Sequence, residues 1–247
     1  MGKITKAIQN PSLITKALKN RLNHFHKLYI EKDEFTIAVD QWFKDRGDES
    51  LRLDYPLSQN SVVFDLGGYV GDFASQIHER YGCYVYVFEP VKEFYEVCVE
   101  RFKGNEKVQC FNYGLSNEDG SLAISLQEDG SSLIRMGEDG RQEIVLLKSF
   151  DEQLLAKLKV MQIDLLKINI EGGEFLVIPH IISNGIIEKV KDLQIQFHNF
   201  YPDAKDQRDN IRVELARTHL EKWNYTFVWE SWSLNASQAK ANLLSTN

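Results

Sequence analysis

Val63-Phe64-Asp65-Leu66-Gly67-Gly68-Tyr69-Val70-Gly71 runs from a short apolar segment into three closely spaced glycines, and Phe73 and Ile77 follow at helical spacing. A strand that breaks in a glycine turn and passes directly into a helix is the opening unit of a parallel α/β sheet. Glycine there allows a tight turn and lets a ligand approach the backbone ahead of a helix N-terminus. The glycines at 67, 68 and 71 do not fall in the Gly-x-Gly-x-x-Gly register of a dinucleotide fold, so a nicotinamide-dependent oxidoreductase is disfavoured. Asp65 places a carboxylate where a pyrophosphate needs none. It suits the ammonium of a methionine moiety, held directly or through water.

Working outward, Ser61 to Leu66 reads as the first strand and Val70 to Tyr81 as its helix, with Gly82 placed to end it. Tyr84 to Phe88, a helix over Val91 to Lys103 that stops at Gly104, and Val108 to Asn112 continue the alternation. Between Gly114 and Lys148 the spacing shortens to runs at Ser121 to Leu126, Leu133 to Met136 and Glu143 to Leu147, set off by Glu-Asp-Gly turns. These predict an antiparallel insert of hairpins. Regular order resumes with a helix near Phe150 to Leu158, a strand at Leu165 to Ile170, a helix from Gly173 to Ser183 ending at Asn184-Gly185, and a strand at Leu193 to Phe197. Ile211, Leu215, Ala216, Leu220 and Trp223 share one face of a further helix, and Thr226 to Trp229 closes as an antiparallel last strand. The fold class is therefore α/β, a doubly wound and mainly parallel sheet, over residues 61–235. Residues 1–60 form an N-terminal helical segment and 236–247 a tail.

In such a sheet the ligand lies beyond the carboxyl ends of the strands. Glu89-Pro90 ends the second strand 18 residues past Gly71, about where an acid reaches ribose hydroxyls in nucleotide-binding folds. Asn112-Tyr113-Gly114 ends the third, where a polar side chain and a ring flank a base. After these comes Leu166-Lys167-Ile168-Asn169-Ile170-Glu171-Gly172-Gly173-Glu174, in which Lys167, Asn169 and Glu171 alternate with apolar residues. Polar side chains on a strand buried on both faces require partners. A buried ion pair accounts for Lys167 and Glu171 without chemistry, but the position at the cleft favours function. His198, in Gln196-Phe197-His198-Asn199-Phe200, is a candidate general base. Asp164, Glu171 and His198 offer oxygen and nitrogen donors, yet no ligand spacing requires a metal, and none is assigned. The aromatic run Phe227-Val228-Trp229-Glu230-Ser231-Trp232 reads as core strand rather than substrate platform, though Trp232 lies late enough to be exposed.

The formal net charge of -7 excludes a broad positive field for nucleic acid. Cys83, Cys98 and Cys110 show no Cys-x-x-Cys spacing, which disfavours a disulfide framework or thiolate zinc site and suits a reducing cytoplasm. No apolar run approaches the ~18 residues of a membrane span. Lys3, Lys6, Lys16, Lys19, Arg21 and Lys27 precede the first acid, Glu31, while Ile4, Ile8, Ile14, Leu18, Leu22, Phe25 and Tyr29 recur at helical spacing. Such a basic amphipathic helix packs on the main domain or touches the inner face of an anionic membrane.

Three blocks, Val63 to Gly71, Phe88-Glu89-Pro90 and Leu166 to Glu174, resemble the FkbM family of methyltransferases in kind and order. The resemblance spans about Ser61 to Trp232. It implies a class I methyltransferase fold, Rossmann-like, S-adenosylmethionine as cofactor, and methyl transfer to oxygen, often on sugars of polysaccharides, glycolipids or natural products. Carried over residue by residue, it makes Asp65, Gly67, Gly71 and Glu89 cofactor contacts, beside which Gly68, Asn112 and Gly114 stand as candidates. It sets Lys167, Asn169 and Glu171 beside the reacting centre. The family commonly has Asp where this chain has Asn169, and an amide does not take up a proton as a carboxylate does. Deprotonation of the acceptor then falls to His198 or Glu171. The expected acceptor is a sugar or glycan hydroxyl, with selectivity carried by the insert at 115–148 and the C-terminal loops. A noncatalytic partner in glycan biosynthesis that keeps the fold is the alternative.

Overall fold

The computed structural model describes residues 19, 23–24, 26–127, 130–132 and 141–235, the side chains at 29, 125–132 and 141 excepted. The expected strand at Leu133 to Met136, the tail, and most of the basic N-terminal face lie outside these residues. Seven strands form the main sheet in the order β10-β11-β9-β8-β1-β2-β3. They are β1 (Val62–Leu66), β2 (Tyr84–Phe88), β3 (Val108–Phe111), β8 (Ile163–Ile168), β9 (Val190–Ile195), β10 (His219–Tyr225) and β11 (Trp229–Leu234). Neighbours from β3 through β9 pair in parallel, and β11 runs antiparallel to both β9 and β10. This is the class I methyltransferase fold.

Strand periodicity divides the core. Phe64, Leu66, Phe88, Leu166 and Ile168 face one layer with Phe150, Ile178 and Phe197. Val63, Val85, Val87 and Leu165 face the other with Phe73 and Ile77. The helices covering these faces are α2 (Asp72–Tyr81), α3 (Lys92–Arg101), α4 (Glu152–Leu158), α5 (Glu174–Ser183) and α6 (Ala204–Leu215). Gly71 begins α2 at φ 82° and Gly82 ends it at φ 63°, both left-handed, which is why glycine stands at each end. The N-terminal α1 (Glu34–Lys44) is capped by Asp33, whose carboxylate accepts from the Thr36 amide. Trp42 on α1 packs against Trp223 and Tyr225 and so seats the helix on β10.

A second sheet, in the order β4-β7-β5-β6, forms the insert from β4 (Gly114–Ser116), β5 (Gly120–Gln127), β6 (Gly130–Ser132) and β7 (Arg141–Ser149). It is not all antiparallel: β4 pairs with β7 in parallel.

Three expectations need correction. The helix drawn through Trp223 ends at Leu215, and His219–Tyr225 is β10. Leu220 is 54% exposed, so its helical spacing was incidental, and pairing with β11 decided the conformation. The expected strand over Thr226 to Trp229 is instead mostly the turn between β10 and β11, with Phe227 at φ 59°. The true last strand carries Trp232 inward, 4% exposed and not solvent-facing, its indole N–H bonded to Glu230. Finally, β8 stops at Ile168, and the chain turns through Glu171 at φ 52° and Gly172 at φ 102°. Lys167, Asn169 and Glu171 therefore do not share a strand face.

Candidate active site

A cavity of about 310 Å³ opens beyond the carboxyl ends of β1, β2 and β8, at the low end of the size range of small-molecule sites. Its wall takes Gly67 and Tyr69 from the first turn, Glu89 to Val91 after β2, and Gly114 to Ser116 at the start of the insert. Asn169, Ile170, Glu171, Gly173 and Leu176 close the opposite side, and Leu122, Ile124 and Leu147 of the insert form an apolar flank. Of the residues singled out in the sequence, Gly67, Glu89, Gly114, Asn169 and Glu171 meet here.

The others stand behind the wall. Asp65 and Lys167 face each other in register across β1 and β8, so both project to the same side of the sheet. Their ion pair, at 2.8 Å, is buried under the glycine turn, and Lys167 Nζ also donates to the Gly67 carbonyl at 2.7 Å. Asp65 and Lys167 thus do not line the cavity, and Lys167 braces the turn from below. A Cβ on Gly68 would strike Val87 and one on Gly71 would strike Phe102, so these glycines serve packing rather than lining the cavity. Gly67 does line it: at φ 78° its Cβ would stand 1.9 Å from the Asn169 carbonyl oxygen, an approach that only glycine allows. Asn112 Nδ2 donates to the Glu89 and Pro90 carbonyls and ties down the loop after β2. Tyr113 packs on Phe88 and Phe111 and lies outside the cavity wall.

Glu89 joins two loops. Its Oε2 accepts from the Tyr69 amide at 2.7 Å and its Oε1 from the Val91 amide at 2.9 Å. Burial pushes its carboxyl up to about 7 despite those two bonds. Across the cavity, the Asn169 amide oxygen is buried and meets no donor among the described residues. Glu171 reaches the wall, and behind it His198 Nε2 lies 3.6 Å from Glu171 Oε1 while Nδ1 lies 3.0 Å from Glu174 Oε1. Burial pulls the imidazole down, but the bonds and charges of the two carboxylates outweigh it and raise it to about 9. His198 is therefore charged at neutral pH and engaged at both nitrogens, which is the wrong state for a general base.

Asp164 lies at the other end of the sheet, where its carboxylate accepts from the Val62 amide at 2.8 Å and pairs with Lys191. It does not join Glu171 and His198. Among the described residues no group of three His, Cys, Asp or Glu is arranged to hold a metal ion.

The wall residues missed in the sequence are mostly apolar. Leu122 and Ile124 point inward with Val145 and Leu147, while Ala123, Ile144 and Leu146 point out. That alternation was visible in the sequence, but not which cavity it faced.

Fold and cavity together define a class I methyltransferase architecture with an open cavity at the carboxyl edge of the sheet. The chain belongs to the methyltransferase FkbM domain family, whose profile matches residues 65–233. No curated protein matches the sequence. Among solved structures, methyltransferase FkbM from Methylobacillus flagellatus KT is 12% identical, with 72% of this chain and 44% of that chain covered at a TM-score of 0.47. This chain thus spans less than half the length of that protein. The Methanococcus jannaschii fibrillarin pre-rRNA processing protein aligns at 12% identity, 73% and 69% coverage and a TM-score of 0.46. M. capricolum TrmK, solved with S-adenosyl-homocysteine, aligns at 11% identity, 73% and 65% coverage and a TM-score of 0.43.

Proposed function

We propose that this chain is an S-adenosylmethionine-dependent O-methyltransferase whose acceptor is a sugar hydroxyl of a surface polysaccharide, a glycolipid or a precursor of either. The observation that carries the donor assignment is the charge of the wall: among the described residues the ionisable acids there are Glu89 and Glu171, and no Lys, Arg or His lines the cavity. Such a site favours a cationic ligand and repels phosphates, as a dinucleotide or nucleic acid would bring. The residues fit the cofactor in four further respects. Gly67 gives a cradle that a Cβ would fill, and the partnerless Asn169 oxygen calls for a donor such as an ammonium or hydroxyl. Each Glu89 oxygen keeps a second lone pair for ribose hydroxyls after accepting its backbone amide. The apolar flank of Leu122, Ile124 and Leu147 suits a purine.

When bound, S-adenosylmethionine supplies an electrophilic methyl group on a sulfonium. Glu171 takes the proton of the acceptor hydroxyl, a role that His198 cannot fill while charged and Asn169 cannot fill as an amide. The sugar acceptor rests on the family resemblance. Location at the inner face of a membrane rests on the basic N-terminal segment, and co-sedimentation with anionic vesicles that disappears on removal of residues 1–30 is the expected result.

Calorimetric titration should show binding of S-adenosylhomocysteine and none of NAD. NAD binding would instead support an oxidoreductase. Transfer of labelled methyl from S-adenosylmethionine to extracted glycan should fall by about 10²- to 10⁴-fold in Glu171→Gln at saturating cofactor, a loss beyond any weakening of cofactor binding that the lost charge brings. Cofactor binding without transfer to any glycan supports the noncatalytic reading.

A further inference from the structure

Glu174, the first residue of α5, is fully buried and stands outside the cavity wall, yet it makes more contacts to the site than any acid in the wall. Its Oε2 accepts from the Gly172 amide at 2.8 Å. Its Oε1 accepts from the His198 amide at 2.8 Å and faces His198 Nδ1 at 3.0 Å. One carboxylate thereby fastens the turn after β8, which carries Glu171, to the loop after β9, which carries His198. The turn needs fastening, since Glu171 holds φ 52° without being glycine.

We infer that Glu174 is a positioning residue: through a charged His198 held between two carboxylates it fixes the orientation of Glu171 at the cavity. The inference rests on the proposed role of Glu171 as the acceptor's base. With one carboxylate facing each ring nitrogen, Nδ1 donates to Glu174 at 3.0 Å while Nε2 stands 3.6 Å from Glu171 as an ion pair, and the positive ring relieves the repulsion between the two acids. Among the described residues the charged groups acting on the ring are these two. The Phe200 ring lies 4.9 Å away, and Tyr201, whose hydroxyl is pushed up by burial and by the charge of Glu174, lies on the same loop. His198 thus works as a clamp, and Glu174 supplies the buried negative charge that keeps it protonated.

Nitrogen-15 imidazole titration of the full chain tests this, with His198 assigned by its loss in His198→Asn. The wild-type midpoint is expected near 9, and Glu174→Gln should lower it by about one unit or more, since it keeps an acceptor but removes the charge. Glu174→Asp should restore part of the shift. A midpoint in Glu174→Gln within a few tenths of wild type would mean that Glu174 is merely structural and would overturn the inference. Should Glu174→Gln fail to fold, the wild-type titration alone decides, because a midpoint at or below the ordinary 6.5 overturns it too. Activity separates the two readings. Full transfer by Glu171→Gln refutes the base and with it the purpose of the clamp, whereas an inactive Glu171→Gln beside an unshifted Glu174→Gln refutes the clamp alone.

Discussion

Lys167→Met separates a bracing lysine from a catalytic one. The side chains of Lys167 and Asp65 are 4% and 0% exposed and 2.8 Å apart. Burial pushes the ammonium below its ordinary range, and Asp65 opposes that shift. Removing either partner strands the other charge in the interior, at a cost of about 3–5 kcal/mol. Removing both, as Asp65→Leu with Lys167→Met, leaves no buried charge. What remains is the Gly67 carbonyl without its 2.7 Å donor, about 1–3 kcal/mol. The Leu66 carbonyl keeps the Asn169 amide. The double variant should therefore be more stable than either single one, with a coupling energy of at least ~3 kcal/mol between the sites. Urea unfolding at pH 7 followed by tryptophan fluorescence measures this, and S-adenosylhomocysteine titration of the double variant reads the effect on the turn. Additive losses, with coupling below ~0.5 kcal/mol, would refute the assignment of Lys167 as half of a structural pair.

Glu89 makes stability depend on pH in an unusual sense for an acid. Its folded value, raised from 4.5 to about 7, means that the folded state holds more protons across that window, so stability falls as pH rises through it. This group contributes about 3 kcal/mol of that fall. Glu89→Gln removes the slope, and the stability difference between variant and wild type should move in favour of the variant from pH 5 to pH 8 in denaturant titrations; a pH-independent difference would contradict the burial argument. Gly67→Ala forces a Cβ to 1.9 Å from the Asn169 carbonyl at φ 78°, and the left-handed strain alone costs about 1–2 kcal/mol. Thermal melts should show the loss, and calorimetry should show weakened cofactor binding. Leu147→Ala should raise the Kd for S-adenosylhomocysteine about tenfold by removing apolar contact. An unchanged Kd with an altered KM for the acceptor would return the insert to acceptor selection.

Much of the architecture was legible because its signals are local. The glycines at 67 and 71, the acid at 89 and the alternation of β5 and β7 each follow from a few consecutive residues. What escaped depends on pairing between distant segments. Asp65 and Lys167 are joined by the register of β1 against β8, and no spacing in the sequence reports a register. Glu174 and His198 meet across 24 positions. Extending β8 to Ile170 was the natural reading of alternating apolar residues. The left-handed turn at Glu171 ends that alternation and sends three polar residues to different places: Lys167 beneath the turn, Asn169 and Glu171 into the wall. At 216–225 the aromatic residues fitted a helix and a strand alike, and contact with β11 and Trp42 settled the matter.

The distribution of charge also narrows the acceptor. Lys167 neutralises Asp65 below the cavity, and His198 stands between Glu171 and Glu174 behind it, so among the described residues these two cations are held by acids and stay out of the open space. Glu171, joined by Glu89 as its carboxyl ionises around pH 7, then sets the sign of the field in the cavity itself. A positive donor gains from that field, and a phosphate entering the same space is opposed by it. Under the proposed function, a glycan carried on a phosphorylated nucleotide or lipid would present its accepting hydroxyl on a part that enters without the phosphate. A neutral sugar should therefore compete better than its phosphorylated counterpart, and the preference should shrink as salt is raised.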